Sequence, residues 1–574
     1  MELPPVRLTG SALLWQARLL LDRLWWRPRR LERTLRAQGV GGTRYRFLMG
    51  DLKDFGRLND EAWSKPLPLR CHDIVPRVIP FLHNNVRDNG KPCFSWFGPV
   101  ANVAITDPEL IKDVLSNKFG HFEKPQFPAL TKLLGNGLTT HEGEKWVKHT
   151  RILNPAFHLE KLKVSGKNCT QFRQISFQFV WYIMNNLFLL SSNFASISTL
   201  ERLYVYMSPD GAHASVSLWL NLQLMLPAFS ASCEELITRW KELDGSDGSC
   251  EVDVWPELQN LTGDVISRTA FGSSYLEGRR IFQLQSEQAK LFVGAVQRII
   301  IPGYIFLPTK NNLKMRKNNK EVESILQGLI NKRMQAMEEG KKSENDLLGL
   351  LLESNMKDLD ENGQPRQGMA MEDVIQECKQ FYLAGMETTS VLLTWTMIVL
   401  SMHSEWQDLA REEVLGLFRK NKPEYEGLSR LKMVTMILHE VLRLYPSATT
   451  FSRKTYKDMD IGGVRYPSGV FVEVPVLFIN HDPDIWGSDV NEFKPERFAQ
   501  GISKASKHPG AFLSFGWGPR VCIGQNFAML EAKMALSMIL QHFKFELPPS
   551  YTHAPHTVMT LQPMHGAQIK LRAI

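Results

Sequence analysis

Apolar positions recur every three to four residues over long stretches of this chain, the spacing that lays one face of a helix against a core. The clearest runs are Cys233 to Leu243, Met371 to Met402, Leu431 to Leu444 and Asn526 to His542, and each predicts a helix. Extended sequence is confined to Cys93 to Ile105 and Ile461 to Val474, where Gly462-Gly463 and Pro467-Ser468-Gly469 mark turns. No repeat of fixed period is visible. The expected fold is mainly α with a small β-sheet region, in one large domain from about Tyr45 to Ile574.

One stretch breaks this pattern. From about Val164 to Gln223 charges nearly vanish, and Phe, Ser, Asn, Leu and Tyr crowd together without a sustained period or clear caps. With the stretch removed, Lys163 meets Leu224 and the chain reads His158-Leu-Glu-Lys-Leu-Lys-Leu-Met-Leu-Pro-Ala-Phe, an unbroken amphipathic run. A structureless loop of such length is uncommon inside a compact domain. The expectation is an insertion over 164–223 that divides one domain into 45–163 and 224–574. A translated intron is its expected origin: Val164-Ser165 is compatible with a GTAAGT splice donor and Gln223 with a CAG acceptor. A genuine long loop is the alternative.

Residues 1–44 form a separate segment. Its uncharged stretch, Leu8 to Ala17, is far short of the roughly 20 apolar residues that cross a bilayer. Leu13, Leu14, Ala17, Leu20, Leu21 and Leu24 nevertheless share a helical face, and Trp25-Trp26 precede Arg27, Arg29 and Arg30. Aromatic residues followed by clustered arginines suit the cytosolic side of a membrane interface. The expectation is an amphipathic, membrane-contacting segment with a basic hinge; an ordinary amphipathic surface helix is the alternative.

Composition narrows the function classes. At 574 residues, 43% hydrophobic and 22% charged, the chain has enough core to enclose a cofactor. The net charge of +8 comes without a Lys/Arg-rich stripe interleaved with aromatics, so no nucleic-acid partner is expected. A mild basic surplus suits an anionic membrane surface or an acidic protein equally. Seven scattered cysteines, odd in number and without a CxxC pair, argue against a disulfide framework or zinc ribbon and for a reducing compartment.

The strongest chemical signal is Phe515-Gly516-Trp517-Gly518-Pro519-Arg520-Val521-Cys522-Ile523-Gly524. A thiolate ligand needs backbone amides near its sulfur, and glycines allow close approach of a flat cofactor. The alternatives, a buried structural cysteine or a protease nucleophile, lack support: no paired histidine is indicated nearby. A second signal, Ala384-Gly385-Met386-Glu387-Thr388-Thr389, lies inside a long helical run about 130 residues earlier. Gly385 weakens a helix and Thr388 can divert a backbone hydrogen bond, together predicting a local groove. Alone, such a Thr-Thr pair is more often helix packing. The third signal is Glu440-Val441-Leu442-Arg443, with Arg497 downstream in Pro495-Glu496-Arg497-Phe498. On an apolar helix this i,i+3 pair is expected to be buried and structural, holding the cysteine loop.

These motifs resemble the cytochrome P450 haem-thiolate monooxygenases, over nearly all the chain except the insertion and about the first thirty residues. The resemblance implies the P450 fold around a buried haem b (iron protoporphyrin IX), with Cys522 as the iron ligand. It implies cofactor contacts from Trp146, Arg453, Phe515, Gly518, Arg520 and Gly524, and proton relay to bound dioxygen by Glu387 and Thr388. The pattern W-x-x-x-R departs here: Thr150 holds the arginine's place, and Arg151, one residue on, is turned by about 100° of helix.

Asn154 to His158, Phe381 to Ser390 and Asp484 to Gly487 look like the plant branch that includes secologanin synthase. That resemblance implies a small apolar plant metabolite as substrate, a terpenoid in particular, with O2 and electrons from NADPH-cytochrome P450 reductase. It places the chain on the cytosolic face of the endoplasmic reticulum membrane. Two other readings stand beside this one. A haem-binding relative could be disabled by the insertion, and a peroxide-rearranging relative is disfavoured by the intact Glu387-Thr388 pair.

Overall fold

The computed structural model describes residues 6–116, 122–157, 209–243, 245, 248–272, 275–296, 298, 303–339, 346–356 and 368–574. The helices that bear on the site are α1 (Val6–Leu21), α2 (Arg27–Ala37), α3 (Pro108–Ser116), α4 (Gly143–Phe157), α5 (Pro209–Glu242), α6 (Val254–Phe271), α7 (Met371–Met402), α8 (Met433–Leu444) and α9 (Gln525–His542). Three of the four expected helices match to within two residues. The fourth starts well before Cys233, because α5 begins at Pro209 and so includes the last part of the expected insertion. The rest of that insertion, 164–208, lies outside the described residues.

α7 is the axis of the molecule. From Met386 to Leu400 every residue except Thr388 is buried, which is why its sequence carries no polar face. Among the described residues, α7 is also the one helix long and apolar enough to cross a membrane, but most of it lies inside the core. α6 packs along it: Asp253 caps α6 by accepting from the Trp255 N–H, and Gly272 ends it in the left-handed conformation. α4, α7 and α9 are joined through rings, Phe157 stacking on Phe381 at 5.3 Å and meeting Phe527 edge-on at 6.5 Å.

The sheets are small and peripheral. Six strands run in the order β1-β2-β3-β9-β6-β4: Gly41–Gly42, Cys93–Phe97, Val100–Ala104, Phe471–Val474, Phe451–Thr455 and Phe122–Glu123. A second sheet pairs β10 (Phe543–Glu546), β13 (Gln568–Ala573) and β5 (Ser249–Asp253). Two hairpins, β7–β8 (Met459–Ile461, Val464–Tyr466) and β11–β12 (Pro555–Val558, Thr560–Pro563), complete them. The extended segments expected at Cys93 to Ile105 and Ile461 to Val474 are thus strands; the pairing of β4 with β6 is long-range and was not foreseen.

At the amino terminus, α1 runs into a π-helical turn, Asp22–Trp26, and then α2. Leu13, Leu14, Leu20 and Leu21 of the expected apolar face are exposed, but so are Trp15 and Leu19. The apolar surface is therefore broader than one stripe. Trp25 instead packs edge-on against Phe47 at 5.7 Å, with the Arg29 guanidinium 3.7 Å over its ring.

Candidate functional site

Cys522 sits three residues before α9, in a loop closed by its own backbone. The Cys522 N–H donates to the Phe515 carbonyl at 2.8 Å, and the Gly516 N–H to the Leu513 carbonyl at 2.7 Å. Gly518 has φ +71°, and a Cβ there would lie 2.9 Å from the Leu115 carbonyl oxygen and Ser116 Cα. Only glycine lets this loop lie against the end of α3. At Gly524 an added Cβ would meet only Cys522 Sγ, at 4.0 Å, so protein packing does not demand the glycine. Burial pushes the Cys522 thiol up, and the backbone amide of Gly524 pulls it part of the way back. The cysteine still keeps accessible surface. It is deep in the protein and lines an internal cleft.

A second cluster surrounds Arg520. Its guanidinium lies 4.2 Å over the Trp146 ring, and its Nη1 donates to the His141 carbonyl at 2.8 Å. Its Nη2 pairs with Glu142 at 2.5 Å. β4 pairs antiparallel with β6, Glu123 opposite Lys454, so the next step of register brings Lys124 beside Arg453. Burial, together with Arg520 and Arg453, pushes Lys124 down to about 7, and burial with Arg520 pushes Arg453 down to about 10. Two guanidiniums and the Lys124 amine, which near neutral pH carries its proton only part of the time, therefore meet one carboxylate, Glu142. An anionic group entering this cluster would hold Lys124 protonated and bring the surplus to about two charges.

The Trp-x-x-x-Arg departure is as expected in geometry. Arg151 is exposed on the far side of α4, while the buried Thr150 hydroxyl has no hydrogen-bond partner. Lys124 is the residue that sequence reasoning missed: no local motif marks it, because β4–β6 pairing alone delivers it to the cluster.

α7 carries the second motif. Ala384 and Thr388, one turn apart, are the exposed residues of α7 beyond its first turn, and Thr388 Oγ1 donates to the Ala384 carbonyl at 2.8 Å. α7 stays helical throughout this stretch. Gly385 instead leaves room for α6, since a Cβ there would lie 2.8 Å from Ile266 Cγ1. The expected Glu387–Thr388 partnership also changes. One residue of helix turns Glu387 away from the cleft, where its carboxylate accepts from Thr560 Oγ1 at 2.8 Å, Gln259 Nε2 at 3.1 Å and Gln562 Nε2. Burial raises its carboxyl against those three donors.

The Glu-Arg pair is buried as expected. Glu440 and Arg443 are both fully buried and form a two-point bridge, at 2.7 and 2.8 Å. Arg443 also donates to the Asn480 and Val490 carbonyls, each at 2.8 Å. Arg497 Nε stays 3.7 Å from Glu440 and its Nη atoms bond the Trp486 and Asp489 carbonyls instead. Ser514 Oγ, donating to the Leu442 carbonyl at 2.9 Å, ties α8 to the cysteine loop.

Comparison with known proteins agrees with this geometry. A cytochrome P450 family model matches residues 77–175 and 215–571. Cytochrome P450 CYP72A616 of Paris polyphylla is 54% identical, over 99% of this chain and 98% of its own length. Cytochrome P450 72A397 of Kalopanax septemlobus is 46% identical, over 97% and 95%. Cytochrome P450 72A15 of Arabidopsis thaliana is 44% identical, over 99% of each. Among solved structures, the retinoic acid-bound cyanobacterial CYP120A1 superposes with a TM-score of 0.68 at 20% identity, over 93% of this chain and 99% of that one. That last likeness speaks for the fold alone.

Proposed function

This chain belongs to the cytochrome P450 family, in the plant branch of the relatives above, and as a monooxygenase of that family we propose that it oxidises a small apolar plant metabolite, a terpenoid in particular. The observation that carries the site assignment is Cys522 in a backbone-closed loop beside the cluster of Arg520, Arg453 and Lys124. The residues fit a haem b: Cys522 would hold the iron, and Arg520, Arg453 and Lys124 the two propionates, with Trp146 packed on Arg520. Phe515, Gly518 and Gly524 shape the loop around the sulfur. A bound haem would supply the redox chemistry that activates dioxygen, with the Cys522 thiolate donating electron density to it.

The protein's own part is binding, exclusion of water and proton handling. Thr388 Oγ1 is the hydroxyl on the cleft wall and holds its proton toward the Ala384 carbonyl, from where rotation presents it to the cleft. Glu387 reaches Thr388 only by giving up its bonds to the β11–β12 hairpin and Gln259, so it serves as a proton reserve behind that wall. The Glu440–Arg443 bridge positions the cysteine loop.

The same reading takes electrons from NADPH-cytochrome P450 reductase. It places the chain on the cytosolic face of the endoplasmic reticulum membrane, with the exposed apolar surface of α1 in the headgroup layer. Residues 164–223 are read as an insertion, a translated intron in origin, for which mature-transcript sequencing is the direct test. The competing reading is a haem-binding relative disabled by the insertion over 164–223, with Thr150 in the arginine's place as a second ground.

Reduction of the purified chain under carbon monoxide tests the assignment. A strongly red-shifted Soret band is expected from thiolate ligation. An unshifted band, or no retained haem, sinks it; turnover with added reductase then separates a working enzyme from a disabled one.

A further inference from the structure

The side chains of His141, His149 and Glu377 form a second buried cluster, apart from the cysteine loop and its cations. His141 precedes α4, His149 lies within it, and Glu377 comes from the second turn of α7. All three are buried: 6%, 1% and 0% exposed. One donor atom from each lies within 4.8 Å of the other two. The imidazoles meet edge to face, with ring centroids 4.5 Å apart. Glu377 Oε1 faces His149 Nδ1 at 2.5 Å, while Oε2 accepts from the Leu138 N–H at 3.0 Å.

His141 Nε2 is buried and has no hydrogen-bond partner. Leaving such an atom unpaired costs about 1–3 kcal/mol, so the arrangement asks for something to meet it. Behind the cluster, Asp373 Oδ2 lies 3.8 Å from His149 Nε2, and Asp373 is itself paired with Lys145 at 2.7 Å. A carboxylate behind a ligating imidazole is the usual means of fixing its orientation.

We propose that His141, His149 and Glu377 form a site for one divalent transition-metal ion of the zinc class. Two imidazoles and a carboxylate are a donor set that tetrahedral zinc takes at about 2.0–2.2 Å, with water in the fourth position. Tetrahedral geometry spaces such donors by roughly 3.3 Å, so small ring rotations open the His149–Glu377 pair and close the wider separations. The ion would pin the loop 136–142 to α7. Because the His141 carbonyl accepts from Arg520, two residues before Cys522, the ion would also stiffen the anchor of the cysteine loop.

The test uses the full haem-loaded chain, expressed with added Zn2+ and dialysed exhaustively before the metal content is measured. One zinc per chain is expected, with an X-ray absorption spectrum showing two imidazoles and only N/O ligands. His141→Asn should lose the zinc, and because His141 Nε2 bonds nothing in the protein, the zinc-free fold should keep its carbon monoxide spectrum. Glu377→Gln keeps an acceptor for the Leu138 N–H but should bind zinc at least tenfold more weakly. Zinc content equal in wild type and His141→Asn overturns the site, as does a wild type that retains none. If His141→Asn does not fold, the wild-type absorption spectrum decides: fewer than two imidazoles around the zinc rejects the proposal.

Discussion

Replacing Lys124 with Met should stabilise the haem-free protein and weaken its hold on haem, two effects of opposite sign from one change. In the fold Lys124 titrates at about 7 because it is buried beside Arg453 and Arg520; unfolded, it returns to its ordinary 10.5. A base whose folded value is depressed subtracts stability at every pH below its unfolded value. At pH 7.5 that difference amounts to up to about 4 kcal/mol. Lys124 keeps some accessible surface along the cleft, and solvent there reduces the cost to roughly 2 kcal/mol. The urea midpoint of the haem-free variant should therefore rise. With haem present the sign reverses, since a charge-assisted bond to a carboxylate worth about 2 kcal/mol is lost, roughly 30-fold in the haem dissociation constant. Thr150→Arg in the same background puts a guanidinium one helical turn from Trp146, on the same face, and should restore most of that affinity. Both quantities are read by urea titration of the haem-free chain and by haem transfer to an excess of a high-affinity acceptor. A lower midpoint together with unchanged haem transfer would refute the cluster argument.

Thr388→Ala should leave the carbon monoxide spectrum intact while product formation with reductase falls on the order of 100-fold, NADPH consumption falling far less; equal losses in both would remove Thr388 from proton handling. Arg443→Leu leaves the fully buried Glu440 carboxylate without its main partner and should cost about 3–5 kcal/mol, read as a drop in the urea midpoint. A loss below about 1 kcal/mol would show that Arg497 and the Lys494 N–H, which donates to Glu440 Oε1 at 3.0 Å, suffice. Acid should destabilise the protein through His72 and His553, buried neutral around Tyr445 and held down by burial to about 3 and about 4. Each contributes fully above its unfolded value near 6.5 and is lost as pH falls below it, by about 1.4 kcal/mol per pH unit. Comparing urea midpoints at pH 7.5 and 5.5, His553→Gln should shallow the decline; an unchanged slope rejects the assignment.

How much was legible in the sequence depended on the range of the interactions. The long helices could be read because burial on one face repeats locally, and Met371–Met402 was delimited to the residue. The cysteine loop could be read because its hydrogen bonds and left-handed glycines lie within ten residues of Cys522. The Glu440–Arg443 bridge, three residues apart on an apolar helix, was equally local. Everything that required two distant segments to meet was decided by the tertiary structure. Lys124 joins Arg453 only through a strand pair across more than three hundred residues, and no local pattern marks it. Gly385 looked like a helix breaker, but Ile266 of another helix uses its missing Cβ. Glu387 looked like the partner of Thr388, yet a hairpin near the C-terminus supplies two of its three donors. Local sequence sets which backbone groups can be satisfied nearby. Which buried charges face one another is set by packing, because a charge buried in a low-dielectric interior answers to whatever the fold brings within a few ångströms.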